Sequence, residues 1–305
     1  MDLSVVVPTL NGRDRLHTSL DALSSVAPSA EVVVVNGPSS DGTTGMVRAR
    51  NDVDTLVEIS ERNINVARNA GFEVATGDVV AFVSYDLTVE ESWHDGLVAA
   101  FDDGADVVTG PTHRTVPAGM TTETEERRSI AGRSITYFNG DNAAFRRGAL
   151  TALDGFDEYL QTGGARDAAH RIAVMRYDVD WHSDMCVRGE YETDGGREPE
   201  DWQWKYRALA YRMVKNYGIR PTVARRTLAD ALGDGFSSLR DVVTGGRRPS
   251  EWLGSGRAVA KGLVVGGKDG LAARKADRSP RRNPNGVSTR ADRAVCRYDV
   301  AGSAD

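Results

Sequence analysis

The stretch Gly77–Asp86, GDVVAFVSYD, decides the fold. Val79 to Val83 form an unbroken apolar run. Continuous rather than alternating hydrophobicity means that both faces of the strand are covered, as in a parallel sheet packed between helices. The run then ends on Ser84-Tyr85-Asp86. In parallel sheets ligands collect beyond the carboxyl ends of the strands. Asp86 is therefore either a carboxylate at the mouth of a site or the polar start of a turn.

Neighbouring segments repeat the pattern. Ser4 to Val7 is a β-branched run closed by Pro8, with Asn11-Gly12 as the turn after it. Glu31 to Val35 is a second strand closed by Asn36-Gly37-Pro38, Leu56 to Ile59 a third, and Asp106 to Thr109 a later one ended by Gly110-Pro111. Between them lie helical patterns: Leu16, Leu20 and Leu23 within 13–26, a short helix after Ser39-Ser40-Asp41, then 65–75 and 91–102. This alternation predicts an α/β fold, a mainly parallel sheet covered by helices. The strand ends at Pro8-Thr9, Asn36 and Asp86 converge on one crevice. Beyond residue 110 the pattern is less regular: a connection over 110–138, a return to the sheet over 137–146, a loop from Phe156 leading into a helix near Asp167, and a strong helix over 200–216. Past Gly233 glycine and arginine multiply, so only short helical pieces are expected, and from about Ala276 the sequence is too polar to order.

The 305 residues suffice for one large or two small domains. The first residues, MDLSVVVPTL, hold no basic n-region or apolar h-region, so no signal peptide is expected, and no apolar run approaches the roughly 18 residues of a membrane span. Cys186 and Cys296 fit no metal or redox spacing and read as reduced thiols of a cytoplasmic protein. Charge is uneven. Residues 1–204 hold 17 Lys+Arg against 35 Asp+Glu, whereas residues 205–300 hold 21 against 8. A basic rear suits an anionic partner such as a phospholipid surface or a phosphate-bearing acceptor; alternatively it is a solvated tail. There are 5 Lys against 33 Arg and 29 Asp against 15 Glu, a bias that salt adaptation or codon composition would produce.

Together VVVPTLNGRDRL, EVVVVNGPSSDGT and NINVARNAGFEVATGDVVAFVSYD resemble, in order, the nucleotide-sugar half of family 2 glycosyltransferases of the GT-A fold. YFNGDNAAFRRGAL and GFDEYLQTGGARDAAHRIA resemble its acceptor-side segments, so the likeness covers about residues 3–175. The dialect, with NGPS for the usual DDGS, is most similar to archaeal enzymes that extend dolichol-phosphate-linked N-glycans.

The resemblance implies roles residue by residue. Pro8 and Thr9 would present backbone groups to a uracil edge. Asn36 replaces the usual Asp, and an amide still offers a donor and an acceptor to the uracil imide. Ser39 and Asp41 would orient that loop, with Asp41 alternatively a helix cap. Arg68 and Asn69 match the residues that support nucleotide and diphosphate. In the family the fourth strand ends on a DxD motif, here Ser84-Tyr85-Asp86. Asp86 is expected to bind Mn²⁺ or Mg²⁺, while Ser84 supplies a hydroxyl where the family has a ribose-facing carboxylate. Asp167 would be the general base of an inverting transfer, a role compatible with capping its helix, with His170 the other candidate base. Arg166, which replaces a Glu, would join His170 and Arg171 as cations around a sugar carboxylate or a diphosphate. Asp141 and Asn142 would line the donor sugar, or form a turn.

The expectation is a peripheral enzyme on the cytoplasmic face of the membrane. It transfers a sugar, with a hexuronic acid favoured, from a UDP-sugar donor to a dolichol-phosphate-linked acceptor, for glycosylation of surface proteins. Residues 1–110 would bind the nucleotide sugar and 111–220 would form the acceptor-side half. Residues 221–275 would form a basic membrane-proximal helical extension, and 276–305 a disordered tail. Trp202, Trp204 and nearby Lys and Arg, with later apolar residues around Trp252, Leu253 and Leu263 to Val265, suit a membrane interface; core packing alone would also explain the aromatics. No nucleic-acid partner is expected. A nucleotidyltransferase would need a Gly-rich loop with a Lys, which VVVPTLNGRDRL lacks. The departures at Asn36, Ser84 and Arg166 keep open a binding or scaffold protein without turnover.

Overall fold

The structure, a computed structural model, describes residues 1–116, 119–190, 201–221, 225 and 249–300. The chain divides into two compact units: Met1–Arg128 with Ile135–Thr193 and Asn285–Asp305, and Ser129–Ser134 with Asp194–Pro284. The strands on either side of residue 110 share one sheet, the strand Asn142–Arg146 lying between Val107–Thr109 and Val79–Val83.

The first unit is built on an eight-stranded sheet. Its first four strands, β1 (Leu3–Thr9), β2 (Glu31–Asn36), β3 (Thr55–Ile59) and β4 (Val79–Val83), run parallel. Helices α1 (Arg13–Val26), α2 (Thr43–Arg48) and α3 (Ile64–Val74) connect them. Two short strands, β5 (Leu87–Val89) and β6 (Val107–Thr109), flank α4 (Trp93–Asp102). Further along come β7 (Thr112–Val116), β8 (Gly119–Thr122), β9 (Glu126–Ile130), β10 (Arg133–Tyr137), β11 (Asn142–Arg146), α5 (Arg147–Leu153), α6 (Gly164–Met175), β12 (Val179–Trp181) and β13 (Val187–Glu190).

The sheet order is β12-β6-β11-β4-β1-β2-β3, with a final strand, β14 (Ala294–Asp299), beyond β3. A second, four-stranded sheet runs β5-β13-β7-β8, and β9 pairs with β10. Val5, Val7 and Val34 pack with Leu16, Leu20 and Leu23 of α1 in one core. On α3, a Cβ at Gly71 would lie 2.2 Å from Val6 Cγ1, so glycine is what lets that helix lie against β1. Register sets Thr9 opposite Asn36 and Asn36 opposite Glu58, so the strand ends are level and their polar residues share one rim.

β14 corrects the expectation that the chain is disordered beyond residue 276. It pairs antiparallel with β3, from Asp299 opposite Thr55 to Ala294 opposite Ile59. Charge rather than apolar content anchors the segment. Arg293 is 2% exposed, pairs with Glu158 and with Glu73 at 2.7 Å, and donates to Gly286 O at 2.9 Å. Arg290 reaches Glu61 at 2.6 Å and Glu158 at 2.9 Å. Such long-range pairs leave no apolar pattern in a sequence.

The second unit holds α7 (Trp202–Tyr217) and α8 (Pro249–Ala276). The 28 residues of α8 replace the short pieces expected there. Its glycines are a contact stripe rather than breakers. A Cβ at Gly262, Gly266 or Gly270 would lie 2.4, 2.1 or 2.6 Å from the carbonyl oxygens of Gln203, Arg207 or Tyr211. The two series rise together in steps of four, so α8 runs parallel to α7 at close backbone approach. Arg207 to Asp269 at 3.0 Å, and Arg274 to the carbonyls of Lys215 and Asn216, close the pair.

Candidate active site

Beyond the carboxyl ends of β1 to β4 lies a cavity of about 320 Å³, with Pro8 and Thr9, Gly37, Ile59, Asn63 and Tyr85 among its walls. Each strand end contributes, as the parallel register requires. Thr9 Oγ1 is buried without a hydrogen-bond partner. A Cβ at Gly12 would sit 2.2 Å from the Tyr85 ring, and glycine there gives the ring its place.

A second cavity, about 420 Å³, is lined by Asp86 together with Asp14, Arg15, Thr18, Thr115 and Arg188. Ser84-Tyr85-Asp86 therefore reaches both, with Tyr85 on one wall and Asp86 on the other. Ser84 Oγ donates to Asp86 Oδ1 at 2.5 Å, and Ser84 N–H donates to Asp141 O at 3.0 Å. The half-buried Asp86 offers a hard oxygen donor, which fits Mg²⁺ or Mn²⁺ completed by water and phosphate oxygens.

The loop after β2 is self-contained. Asn36 is 1% exposed and does not line the cavity. Its Nδ2 donates to Thr44 Oγ1 at 3.0 Å, and its Oδ1 accepts from Ser39 Oγ at 2.7 Å. Ser39 Oγ also accepts from Asn11 N–H. Asp41 accepts from the backbone N–H groups of Arg13 and Thr43, the first residues of α1 and α2, at 3.0 and 3.1 Å. Burial pushes the Asp41 carboxyl up, but hydrogen bonds from Thr43 and Arg13 prevail and hold it below its ordinary value. This one carboxylate ties the first residues of α1 and α2 together, while the N-cap position of α2 itself is Gly42.

Arg68 and Asn69 on α3 diverge. Arg68 is buried; Nη2 meets Asp141 Oδ1 at 2.8 Å and Nη1 meets Asn65 Oδ1 at 3.2 Å, while Nε has no partner. Burial pulls its pKa down, and Asp141 opposes that shift. Asn69 instead grips the loop after α5, through Phe156 N–H and O and Glu158 Oε1.

Asn142 is wholly buried. It accepts from Trp93 Nε1 at 3.0 Å and donates to Met185 O at 2.8 Å and Gly110 O at 3.3 Å, so it joins the two sheets rather than facing a sugar. Asp167 and Arg171 are also fully buried, with Arg171 Nε 2.9 Å from Asp167 Oδ2. Arg171 further donates to Leu153 O at 2.7 Å and Gly155 O at 3.0 Å. A general base must reach a substrate hydroxyl, and this carboxylate has no exposed side-chain surface. His170 is buried against Tyr137, with ring centroids 5.5 Å apart. Arg166 stays half-exposed, paired with Glu126 at 2.7 Å and stacked on Tyr137. Sequence reasoning singled out Asp141 without its partner. A carboxylate and an arginine 73 residues apart show no spacing by which to pair them.

The family model described as glycosyl transferase family 2 matches residues 4–154. Glycosyltransferase AglE of Haloferax volcanii is 28% identical over 60% of this chain and 65% of its own length. The glucosyl-dolichyl phosphate glucuronosyltransferase of the same organism is 29% identical over 65% of this chain and 66% of its own. The chain therefore spans about two thirds or less of these relatives. S. aureus TarS 1–349, in complex with UDP-GlcNAc, superposes with a TM-score of 0.61 at 18% identity, covering 91% of this chain and 92% of that one, a likeness of fold. Over residues 4–154, which carry the strand-end rim and Ser84-Tyr85-Asp86, this chain belongs to glycosyl transferase family 2.

Proposed function

We propose that this protein transfers a sugar, with a hexuronic acid favoured, from a UDP-sugar to a dolichol-phosphate-linked glycan, with inversion. The observation that carries the reading is the pair of cavities divided by Ser84-Tyr85-Asp86. The nucleoside would occupy the strand-end cavity, and the diphosphate and sugar would extend toward Asp86. A dolichyl phosphate acceptor and a glucuronosyl donor are features of the Haloferax volcanii relative by its name, and they support both assignments here. Arg15 and Arg188 on the second cavity suit an anionic sugar or diphosphate.

Asp86 would hold Mg²⁺ or Mn²⁺, which when bound neutralises charge on the diphosphate. In the transfer itself, the acceptor hydroxyl oxygen bonds to the anomeric carbon from the face opposite the diphosphate. The bond from that carbon to the diphosphate oxygen breaks, and UDP leaves with the electron pair. The hydroxyl proton needs a carboxylate in reach. The sequence expectation for this base is Asp167, but its burial against Arg171 moves our assignment to Asp141, whose side chain is 40% exposed. Arg68 orients Asp141, and the Asp141 carbonyl accepts from Ser84 N–H.

Among the described residues no helix is long and apolar enough to cross a membrane. In our reading the second unit meets the bilayer surface from the cytoplasmic face. Exposed Ile219 and Val264, at 75% and 73%, among Arg and Lys support this; the side chains of Trp252 and Leu253 lie outside the described residues. Release of UDP from a panel of UDP-sugars in high salt, with membranes as acceptor, tests the function. Sedimentation with anionic vesicles tests the surface. No release from any donor would favour a binding protein without turnover.

A further inference from the structure

A second cluster of chemistry lies on the four-stranded sheet, outside the machinery described above. Glu90, His113 and Cys186 place one ligand atom each within 4.8 Å of one another, the one such group among the described residues. We propose that these three side chains form a zinc site.

The backbone fixes the three positions. His113 lies in β7, Cys186 immediately precedes β13, and Glu90 immediately follows β5. β13 pairs with both neighbours, with Val187 opposite Val89 on one side and opposite Thr112 on the other. Glu90 N–H donates to Cys186 O at 3.0 Å, tying the carboxylate strand to the thiol strand. Glu90 and Cys186 thus stand at strand ends, one residue from the paired ladder.

The donor set selects the ion. One thiol sulfur, one imidazole nitrogen and one carboxylate oxygen are the ligands zinc takes, leaving a fourth tetrahedral position for water. A thiolate disfavours Mg²⁺, so this site differs in kind from the all-oxygen Asp86. His113 Nδ1 lies 2.9 Å from Thr122 Oγ1, a contact that orients the ring; with Nε2 as the ligand, Thr122 would hold it as the hydrogen-bond partner of a metal-bound histidine does.

Without an ion the cluster satisfies itself. Cys186 Sγ donates to Ser183 O at 2.8 Å, and Glu90 pairs with Arg188 at 3.0 Å. Burial, then the Glu90 and Asp184 carboxylates, push the Cys186 thiol up. Zinc binding therefore displaces a proton from Cys186 and competes with Arg188 for Glu90. Arg188 also lines the Asp86 cavity, so zinc at Glu90 would leave that guanidinium to the cavity.

The test is a titration of the full-length protein with Co²⁺ as the spectroscopic probe, alongside Zn²⁺ by calorimetry. The variants are Cys186→Ser, His113→Gln and Cys296→Ser, the last an exposed thiol serving as control. We expect one ion per chain and a sulfur-to-cobalt charge-transfer band in wild type and Cys296→Ser. Cys186→Ser should abolish the band. His113→Gln should weaken zinc binding by at least about 10-fold, the lower bound for losing even a residue that only orients a ligand. Melting curves in chelator, expected to be close to wild type for both cluster variants, show that each is folded. A band that survives Cys186→Ser, or wild-type zinc affinity no better than that of folded Cys186→Ser, overturns the site. Neither readout depends on sugar transfer, so a failed transferase assignment leaves the test intact.

Discussion

Asp167 and Arg171 stand one helical turn apart on α6, their Oδ2 and Nε 2.9 Å from each other, and neither side chain is exposed. Arg171 is held further by the carbonyls of Leu153 and Gly155. This pair joins α6 to the end of α5, and its arithmetic is that of a buried ion pair. Removing one member strands a charge and costs about 3–5 kcal/mol.

Asp167→Asn is accordingly expected to lower the stability of the protein, read as a shift of the urea midpoint. Any transferase activity that survives should keep its KM. Asp141→Asn removes the charge partner of buried Arg68, so some loss of midpoint is expected here too. Its distinguishing signature, read at a temperature where the variant is fully folded, is a kcat lower by about 10²–10⁴-fold, the range for losing a general base. A normal melt with abolished turnover in Asp167→Asn would return the base to that position.

Asp41 makes stability depend on pH. Burial would raise its carboxyl, but the Thr43 hydroxyl and the N–H groups of Arg13 and Thr43 bond its charged form and hold it below the ordinary 3.8 in the folded chain. The folded state thus binds fewer protons there than the unfolded state. The contribution is complete above the unfolded value and is lost as pH falls through the folded one. The gap in Tm between wild type and Asp41→Asn should be largest near neutrality and shrink toward pH 3. A gap that widens with acid would reverse the sign of this argument.

The helix pair of the second unit has an internal control. Gly266→Ala would put a Cβ 2.1 Å from Arg207 O, whereas at the adjacent Gly267 nothing lies within 4 Å. The first is expected to destabilise by about 1–3 kcal/mol through overpacking. The second should stabilise by up to about 1 kcal/mol, the helix-propensity difference between glycine and alanine. Equal effects in thermal melts would mean that α8 does not lie on α7 in this register.

Arg293→Ala removes a fully buried guanidinium shared by Glu158 and Glu73. Loss of about 3–5 kcal/mol is expected, with faster hydrogen exchange in β14 and β3 as the local signature. Unchanged exchange in β3 would mean that the strand does not depend on this anchor.

These elements also mark what a sequence can and cannot disclose. The apolar runs at Val5 to Val7, Val32 to Val35 and Val79 to Val83 are legible because burial on both faces leaves a continuous signal, and all three are strands of one sheet. The strand-end rim was legible too, since parallel register puts Thr9 level with Asn36. Side-chain direction was not. Asn36 and Asn142 sit at expected positions, yet each bonds within the protein framework. β14 and α8 were misread for opposite reasons. An ionic anchor has no hydrophobic pattern, and a glycine stripe that permits helix contact has the same composition as a loop.

The central claim is that Ser84-Tyr85-Asp86 joins two cavities into one donor site. The most direct measurement is UDP release from UDP-sugars with Mg²⁺ or Mn²⁺, comparing wild type with Asp86→Ala at matched thermal stability. Metal-dependent release from one donor is expected in wild type, reduced about 10²-fold or more in the variant, the magnitude lost with one electrostatic contact to developing charge. Equal release by both proteins would contradict it and leave Asp86 as no more than the end of a strand.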